Sequence, residues 1–401
     1  MEIKPLNILF LTCRFPFPLI GGDRIKPYHL LQYLAKRHTV TLVCLYQGID
    51  SSILEYKQKI EELGVKVIPI RLSLLTSLVT ILFSFLKSIP LEVLYYFQPT
   101  LKRTVDELLR NNQFDVAIAF FMRTAEYLRT KDIKKILIAE DCRYEYQKRS
   151  AQSSTTFVQK FIRNWEQKKL ATYEKQVMND FDCSTFVTNE DISFVKKLNP
   201  NANYALLTNG FDTKRFTYVP FTTDRKNALF IGKLDVWANE MMVRRLVETI
   251  MPQIRKEFPN FCLTIVGGNP SKKLQMYLQK FPFITLNANV VDVVPFLHSH
   301  RVFIHPHSGA TGIQNKIIEA MATGIPIVTT VSGIQGIAAM NQQHVLISSS
   351  IDKMHIEVIE LLQNPMLAHT LSLEARKLIE TTHTWEAVFS AFETIITSVV
   401  K

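Results

Sequence analysis

Residues 312–326 read Gly-Ile-Gln-Asn-Lys-Ile-Ile-Glu-Ala-Met-Ala-Thr-Gly-Ile-Pro. A glycine-bearing loop opens a helix, and Gly324-Ile325-Pro326 closes it before a strand expected at 325–329. Lys316 and Glu319 stand three positions apart, so they share a helical face near the helix start. A lysine there can neutralise a phosphate, and a carboxylate there can accept two hydrogen bonds from a ribose diol. The same spacing also describes a surface ion pair on an amphipathic helix whose core residues are Ile317, Ile318 and Met321.

Working outward, the helix belongs to an alternating pattern. Candidate strands lie at 227–231, 261–266, 283–286, 302–305, 325–329 and 344–347, with helical runs between them. The amino-terminal half has the same organisation. Strands are expected at 7–13, 39–45, 65–70, 115–119, 135–139, 183–187 and 204–207, with helices at 24–37 and 157–180. Continuous apolar strands alternating with helices indicate parallel sheets covered on both faces. Right-handed crossovers wind such sheets into Rossmann-like, doubly wound domains. The Asn-Pro-Asn-Ala-Asn linker at 199–203 marks the boundary, giving domains 1–203 and 204–383. Tandem domains of this kind bind large ligands at the carboxyl ends of their strands, in the cleft that the two domains face.

Two further glycine loops sit where such ligands bind. Gly21-Gly22-Asp23-Arg24 follows the first strand, and Gly232-Lys233 follows the strand at 227–231. Glycine lets backbone approach a phosphate, a following helix N-terminus offers free N–H groups, and Arg24 and Lys233 add charge. Taken singly, each is equally well a plain turn or a strand exit with a solvated side chain. Glu140-Asp141 follows the strand at 135–139, so it faces the expected cleft. Its carboxylates are candidates either for orienting an acceptor hydroxyl or, at Asp141, for capping the next helix.

Composition bounds the reading. At roughly 150 residues per domain, 401 residues make two to three domains. Apolar residues are 47% and charged residues 21% of the chain, which excludes a disordered or fibrous protein. Forty-seven basic against 36 acidic residues leave +11, favouring anionic partners. No aromatic-basic recognition motif points to nucleic acid. Five cysteines without a CxxC pair argue against a disulfide framework or structural zinc and fit a reducing cytoplasm. The apolar run at 8–13 meets Arg14 too early to read as a signal peptide. Residues 72–86 carry no charge and are bracketed by Arg71 and Lys87. As a helix they would span about 22 Å, short of a bilayer's ~30 Å core. They read instead as a buried core helix or as an interfacial helix on an anionic membrane surface through 71–87.

Taken together, three stretches resemble family 4 of the retaining glycosyltransferases, whose GT-B fold comprises two Rossmann-like domains. Residues 312–330 resemble that family's donor-binding helix. Residues 208–216 (Thr-Asn-Gly-Phe-Asp-Thr-Lys-Arg-Phe) resemble its Asn-Gly-Val-Asp-x-x-x-Phe segment, and residues 14–43 its amino-terminal glycine loop and first helix. The spellings at 22–25 and 312–316 are most similar to bacterial exopolysaccharide sugar transferases. The resemblance implies an acceptor domain at 1–203, onto which a C-terminal helix in 384–401 returns, and a nucleotide-sugar donor domain at 204–383. Glu319 would hold the nucleotide ribose. Lys316 and Lys233 would face the diphosphate, with Gly21, Gly22 and Arg24 closing over it and Gly232 lying beside it. Val290 would meet the base, and Gly312 and Ile313 would offer backbone N–H groups to the donor. The family's paired glutamates depart here, since Thr311 stands where the first would be. That leaves the contact to the donor sugar, and the donor's identity, open.

The expected chemistry is transfer of a sugar from a UDP- or GDP-sugar to a hydroxyl of a glycan or lipid-linked glycan in cell-surface polysaccharide synthesis. It needs no cofactor, no metal and no assigned protein nucleophile. The expected location is cytoplasmic or peripheral, on the inner face of the cytoplasmic membrane. Rival readings are a non-catalytic scaffold that binds a glycan or nucleotide on this fold, and a nucleotide-sugar epimerase. Asp180-Phe181-Asp182 spells a metal motif but lies at a helix end without a glycine loop. His298, His300, His305 and His307 cluster in sequence with no carboxylate or thiol to complete a zinc site. They read as a polar strand rim, with His307 within reach of the donor.

Overall fold

The computed structural model describes residues 4–19, 21–48, 50–82, 84, 88–152, 157–308 and 312–401. The chain divides into two compact units, Met1–Asn209 with Val388–Lys401, and Gly210–Ala387.

The first unit is built on a parallel sheet of β1 (Asn7–Thr12), β2 (Thr39–Tyr46), β3 (Val65–Arg71), β4 (Val116–Phe120), β5 (Lys135–Glu140), β6 (Cys183–Phe186) and β7 (Tyr204–Leu206). Its strand order is β3-β2-β1-β4-β5-β6-β7. The second unit holds β8 (Lys226–Ile231), β9 (Leu263–Gly267), β10 (Ile284–Ala288), β11 (His300–His305), β12 (Ile327–Thr330) and β13 (Leu346–Ser348), ordered β10-β9-β8-β11-β12-β13. All pairings are parallel, with Phe10 opposite Ile118 in one sheet and Phe303 opposite Leu229 in the other. Both units are therefore Rossmann-like, doubly wound sheets.

Both faces of the second sheet are covered, which is why its strands read as unbroken apolar runs. Ala228, Phe230, Ile265 and Ile304 enter one core cluster, while their alternating neighbours Leu229, Val266 and Phe303 enter the other. The C-terminal helix, Trp385–Val400, contributes its residues from Val388 to the first unit. There the Phe389 ring stacks on Tyr33 at 4.5 Å, and Glu393 lies 3.6 Å from His38.

The boundary expected at 203 is corrected. Tyr204–Leu206 pairs in parallel with Ser184–Phe186, so the first sheet takes one more strand before the chain crosses at 209/210. The Pro-Asn linker is a loop inside the first unit. The helix expected at 24–37 begins earlier, at Gly22, because Gly21 at φ +91° makes the turn that starts it.

The described part of residues 72–86 is not a buried core helix. The described part is a helix over Leu74–Leu82, and Phe83, Phe85, Leu86 and Lys87 lie outside the described residues. Among the described residues no helix is long and apolar enough to cross a membrane. The helix is turned opposite to the usual sense. Ser77 is buried and donates to the Tyr95 carbonyl at 2.6 Å, and Thr80 donates to that of Leu94 at 2.8 Å. Leu74, Leu75, Leu78, Val79 and Leu82 face outward.

Candidate active site

In each sheet the chain reverses its winding between the two central strands, β1/β4 and β8/β11, and ligands bind beyond the carboxyl ends at such a switch point. In the second unit this crevice receives the loop after β8, the end of β11 and the helix Asn315–Thr323.

That helix begins at Gln314, whose side chain makes no capping bond and whose carbonyl accepts the Ile317 N–H at 2.8 Å. Gly312 precedes it at φ +76°. Gly324 closes it at φ +80°, where an added Cβ would lie 2.5 Å from the Tyr218 ring. Thr311 lies outside the described residues, and Ile313 is half-buried against the core cluster beneath the site.

Lys316 and Glu319 lie three positions apart on that helix, both half-buried. The Lys316 ammonium donates to Asn239 Oδ1 at 3.0 Å. Burial pulls its pKa down to about 8, against the attraction of Glu319. Burial pushes Glu319 up to about 7, opposed by Arg215 and Lys316. An ammonium and a carboxyl that both titrate near neutrality on one helix mark a candidate site for a charged, hydrogen-bonding ligand.

Two residues here were not singled out in the sequence. Asn239 is buried, and its amide also donates to the Lys233 carbonyl at 2.8 Å, so one side chain ties the loop after β8 to Lys316. Arg215 sits within the stretch 208–216, pairs with Asp292 at 3.1 Å and lies close enough to Glu319 to lower its pKa. Position in the motif could have flagged Arg215. Nothing local distinguishes Asn239.

Gly232 is packed so closely that a Cβ would meet Asn239 and Phe230 at 3.1 Å. Lys233 itself is exposed and lies 3.5 Å from Asp235. Val290 is half-buried in the loop after β10, where Asn289 holds the Asn269 N–H at 2.8 Å. His307 is buried, with Nδ1 3.2 Å from Ser332 Oγ and its ring stacked on His305 at 5.4 Å. Burial, then Lys316 and His307, drive the His305 pKa far down, so His305 is neutral.

The four histidines do not converge. His298 meets the Thr217 carbonyl, and His300 sits between the Phe296 carbonyl and Thr264. Among the described residues no three or more His, Cys, Asp or Glu side chains gather as a metal site. Asp180 and Asp182 of the Asp-x-Asp triplet bond Arg129 and the Lys135 N–H.

The remaining candidates lie in the first unit. Gly21 and Gly22 are exposed at the N-terminus of the helix Gly22–Leu34. Arg24 lines a cavity of about 510 Å³ with Cys13, Arg14, Phe17 and Tyr56, and makes no ion pair among the described residues. Glu140, at φ +73°, is bonded to the buried Lys26 ammonium at 2.6 Å. Asp141 pairs with Arg143 at 3.3 Å. The N–H groups of Arg143 and Tyr144 that open the following helix go to Glu174 at 2.8 and 3.0 Å.

Against this geometry, residues 225–364 match the family model of the glycosyl transferases, group 1. An uncharacterised 44.6 kDa protein in the cps region of Klebsiella pneumoniae is 21% identical over 399 residues, covering 96% of this chain and 98% of that one. Sucrose-phosphate synthase from Thermosynechococcus elongatus superposes with a TM-score of 0.72 at 14% identity, over 98% of each chain. Anabaena HepE, solved with UDP and glucose, gives 0.66 at 11% identity, over 98% of this chain and 100% of its own. The chain is a glycosyltransferase of the GT-B fold, the family match giving the class of enzyme and the solved structures the fold. The matched residues 225–364 lie wholly within the second unit.

Proposed function

We propose that the second unit binds a UDP- or GDP-sugar at the β8/β11 switch point, and that the enzyme passes the sugar to a hydroxyl of a glycan or lipid-linked glycan in cell-surface polysaccharide synthesis. The observation that carries this reading is the placement of Lys316 and Glu319 on the first turns of one helix at the switch point, with Asn239 tying Lys316 to the Gly232-Lys233 loop. Lys316 and the first-turn N–H groups face the diphosphate, and Glu319 accepts the ribose hydroxyls. Gly312, Ile313 and Val290 supply backbone surface to donor and base, and His307 lines the sugar side. The complex of HepE with UDP and glucose favours UDP as the nucleotide. The cps-region relative favours polysaccharide synthesis.

Charge accumulates on the departing diphosphate during transfer. A half-buried ammonium and fixed N–H dipoles stabilise it without a metal, and they strengthen as water leaves. Lysine protonation sets the working range, since Lys316 must be charged to meet the diphosphate. Anomeric configuration is retained by attack on the face from which the nucleotide leaves, and no side chain is assigned as nucleophile. The first unit takes the acceptor, and residues 71–87 rest on the inner face of the cytoplasmic membrane. The test is nucleotide release from a panel of nucleotide sugars incubated with membrane extract. Release from one donor, lost in Glu319→Ala, supports the reading. Normal turnover and donor affinity in Glu319→Ala refute it.

A further inference from the structure

β8 and β11 end at the crevice assigned to the donor, and they begin beside a surface cavity of about 540 Å³ on the opposite edge of the second unit. Each strand is six residues long, so roughly 20 Å separates the two places.

Two arginines line this cavity, Arg225 just before β8 and Arg301 within β11. Backbone carbonyls fix both. Arg225 Nη2 donates to those of Val219 and Pro220 at 2.8 and 2.9 Å. Arg301 donates from Nη1 to that of Thr223 at 2.9 Å and from Nη2 to that of Leu362 at 3.1 Å. Both guanidiniums lie against the Phe221 ring, 5.9 and 6.0 Å from its centroid. Two positive charges are thus gathered at one wall by groups that do not neutralise them.

Part of each guanidinium is left over. Arg225 Nη1 and Arg301 Nε are buried and have no hydrogen-bond partner among the described residues. Arg225 is only 6% exposed, and burial lowers its pKa against the attraction of Tyr218 and Asp224. A buried cation without an anion is costly, so these N–H groups call for an anion that the chain does not supply. The acids on the wall are engaged elsewhere. Asp224 bonds the Thr222 side chain and the Arg225 backbone, and Glu257 accepts from Gln363 at 3.1 Å. Both are exposed, and exposed Lys226 adds a third positive charge at the rim.

The rest of the wall defines the body of the ligand. Phe258, Pro259, Phe261 and Leu362 make it apolar and largely aromatic, and the volume is that of a small-molecule site. Donors from two separate guanidiniums suit a phosphate, with its several oxygens, better than a single carboxylate.

We propose that this cavity is a second ligand site of the enzyme, for a phosphate monoester with an apolar or aromatic body. Arg225 Nη1 and Arg301 Nε donate to the phosphate, Lys226 closes the rim, and the body lies on Phe258 and Phe261. The site is too far from the switch point to share in transfer, so its ligand is neither donor nor acceptor.

The full chain is melted with phenyl phosphate, and with inorganic phosphate or phenol at the same concentration, with and without UDP. Phenyl phosphate should raise the melting temperature of wild type and Lys316→Met alike, by more than phosphate or phenol does, and UDP should leave that rise in place. Lys226→Glu changes an exposed side chain, so it should melt as wild type does while binding phenyl phosphate at least about tenfold more weakly. Arg301→Gln, measured from its own melting temperature, should lose the rise. A crystal grown with phenyl phosphate should show the phosphate against Arg225 and Arg301. A rise no larger than that with phosphate, one removed by UDP or by Lys316→Met, or one kept in full in either cavity variant would overturn the site. So would phenyl phosphate bound only elsewhere. The donor reading stands or falls separately, on nucleotide-sugar binding at the switch point.

Discussion

Replacing Lys316 by methionine separates stability from binding. The Lys316 pKa falls from 10.5 to about 8 on burial. Below pH 8 the lysine is charged in the folded and the unfolded chain, and the folded one carries the desolvation penalty. Two and a half pKa units correspond to about 3 kcal/mol. That penalty is relieved as pH rises from 8 to 10.5, where the folded protein has released the proton and the unfolded chain still holds it. Methionine removes the charge and keeps most of the volume, but leaves Asn239 Oδ1 without its donor, a loss of about 1–2 kcal/mol. The variant should therefore be more stable than wild type by about 1–2 kcal/mol at pH 7, and the gain should vanish at about pH 9 and reverse towards pH 10.5. Donor binding should move the other way, since a charge-assisted bond to diphosphate is worth about 1.5–3 kcal/mol. Affinity should fall roughly ten- to a hundredfold. Urea denaturation at several pH values and heat titration with the nucleotide sugar measure both sides. Unchanged donor affinity, or a variant less stable than wild type throughout, would refute the reasoning.

The other outcomes follow from the same contacts. Donor affinity should decline above pH 8 as Lys316 loses its proton, and below pH 7 as Glu319 gains one, so binding heat against pH should show a maximum between these values. Gly267→Ala should weaken both stability, by about 1–3 kcal/mol, and donor binding, because its Cβ would lie 2.0 Å from the Gly232 carbonyl and displace the loop after β8; thermal melting and titration read both. Lys26→Met should destabilise the first unit by about 3–5 kcal/mol, since it strands the half-buried Glu140 carboxylate, and chemical denaturation reads the loss. Glu174, pushed by burial to about 8, binds its proton more tightly folded than unfolded. Stability should therefore fall as pH rises from about 4.5 to 8, and Glu174→Gln should flatten that fall in a series of melts.

Much of the fold was legible because parallel strands buried on both faces leave unbroken apolar runs, as at 8–11 and 228–231. The boundary was displaced because Tyr204–Leu206 is a three-residue edge strand. From sequence it reads equally well as the end of one sheet or the start of the next, and only its pairing with β6 decides. Lys316 and Glu319 were legible because helical spacing fixes their shared face. Asn239 was not, since its role depends on a loop and a helix far apart in sequence meeting at one amide. In 72–86 composition showed an apolar helix but could not show its rotation. That was set by the carbonyls of Leu94 and Tyr95, which capture Ser77 and Thr80.

The most direct test is thermal stabilisation by UDP-, GDP-, ADP- and CDP-sugars beside their free nucleotides, on wild type and Glu319→Ala. A ligand that binds only the folded protein raises its melting temperature. The account predicts a clear rise with one nucleotide class, UDP foremost, that Glu319→Ala loses. No rise with any nucleotide sugar, or an equal rise in the variant, would contradict it.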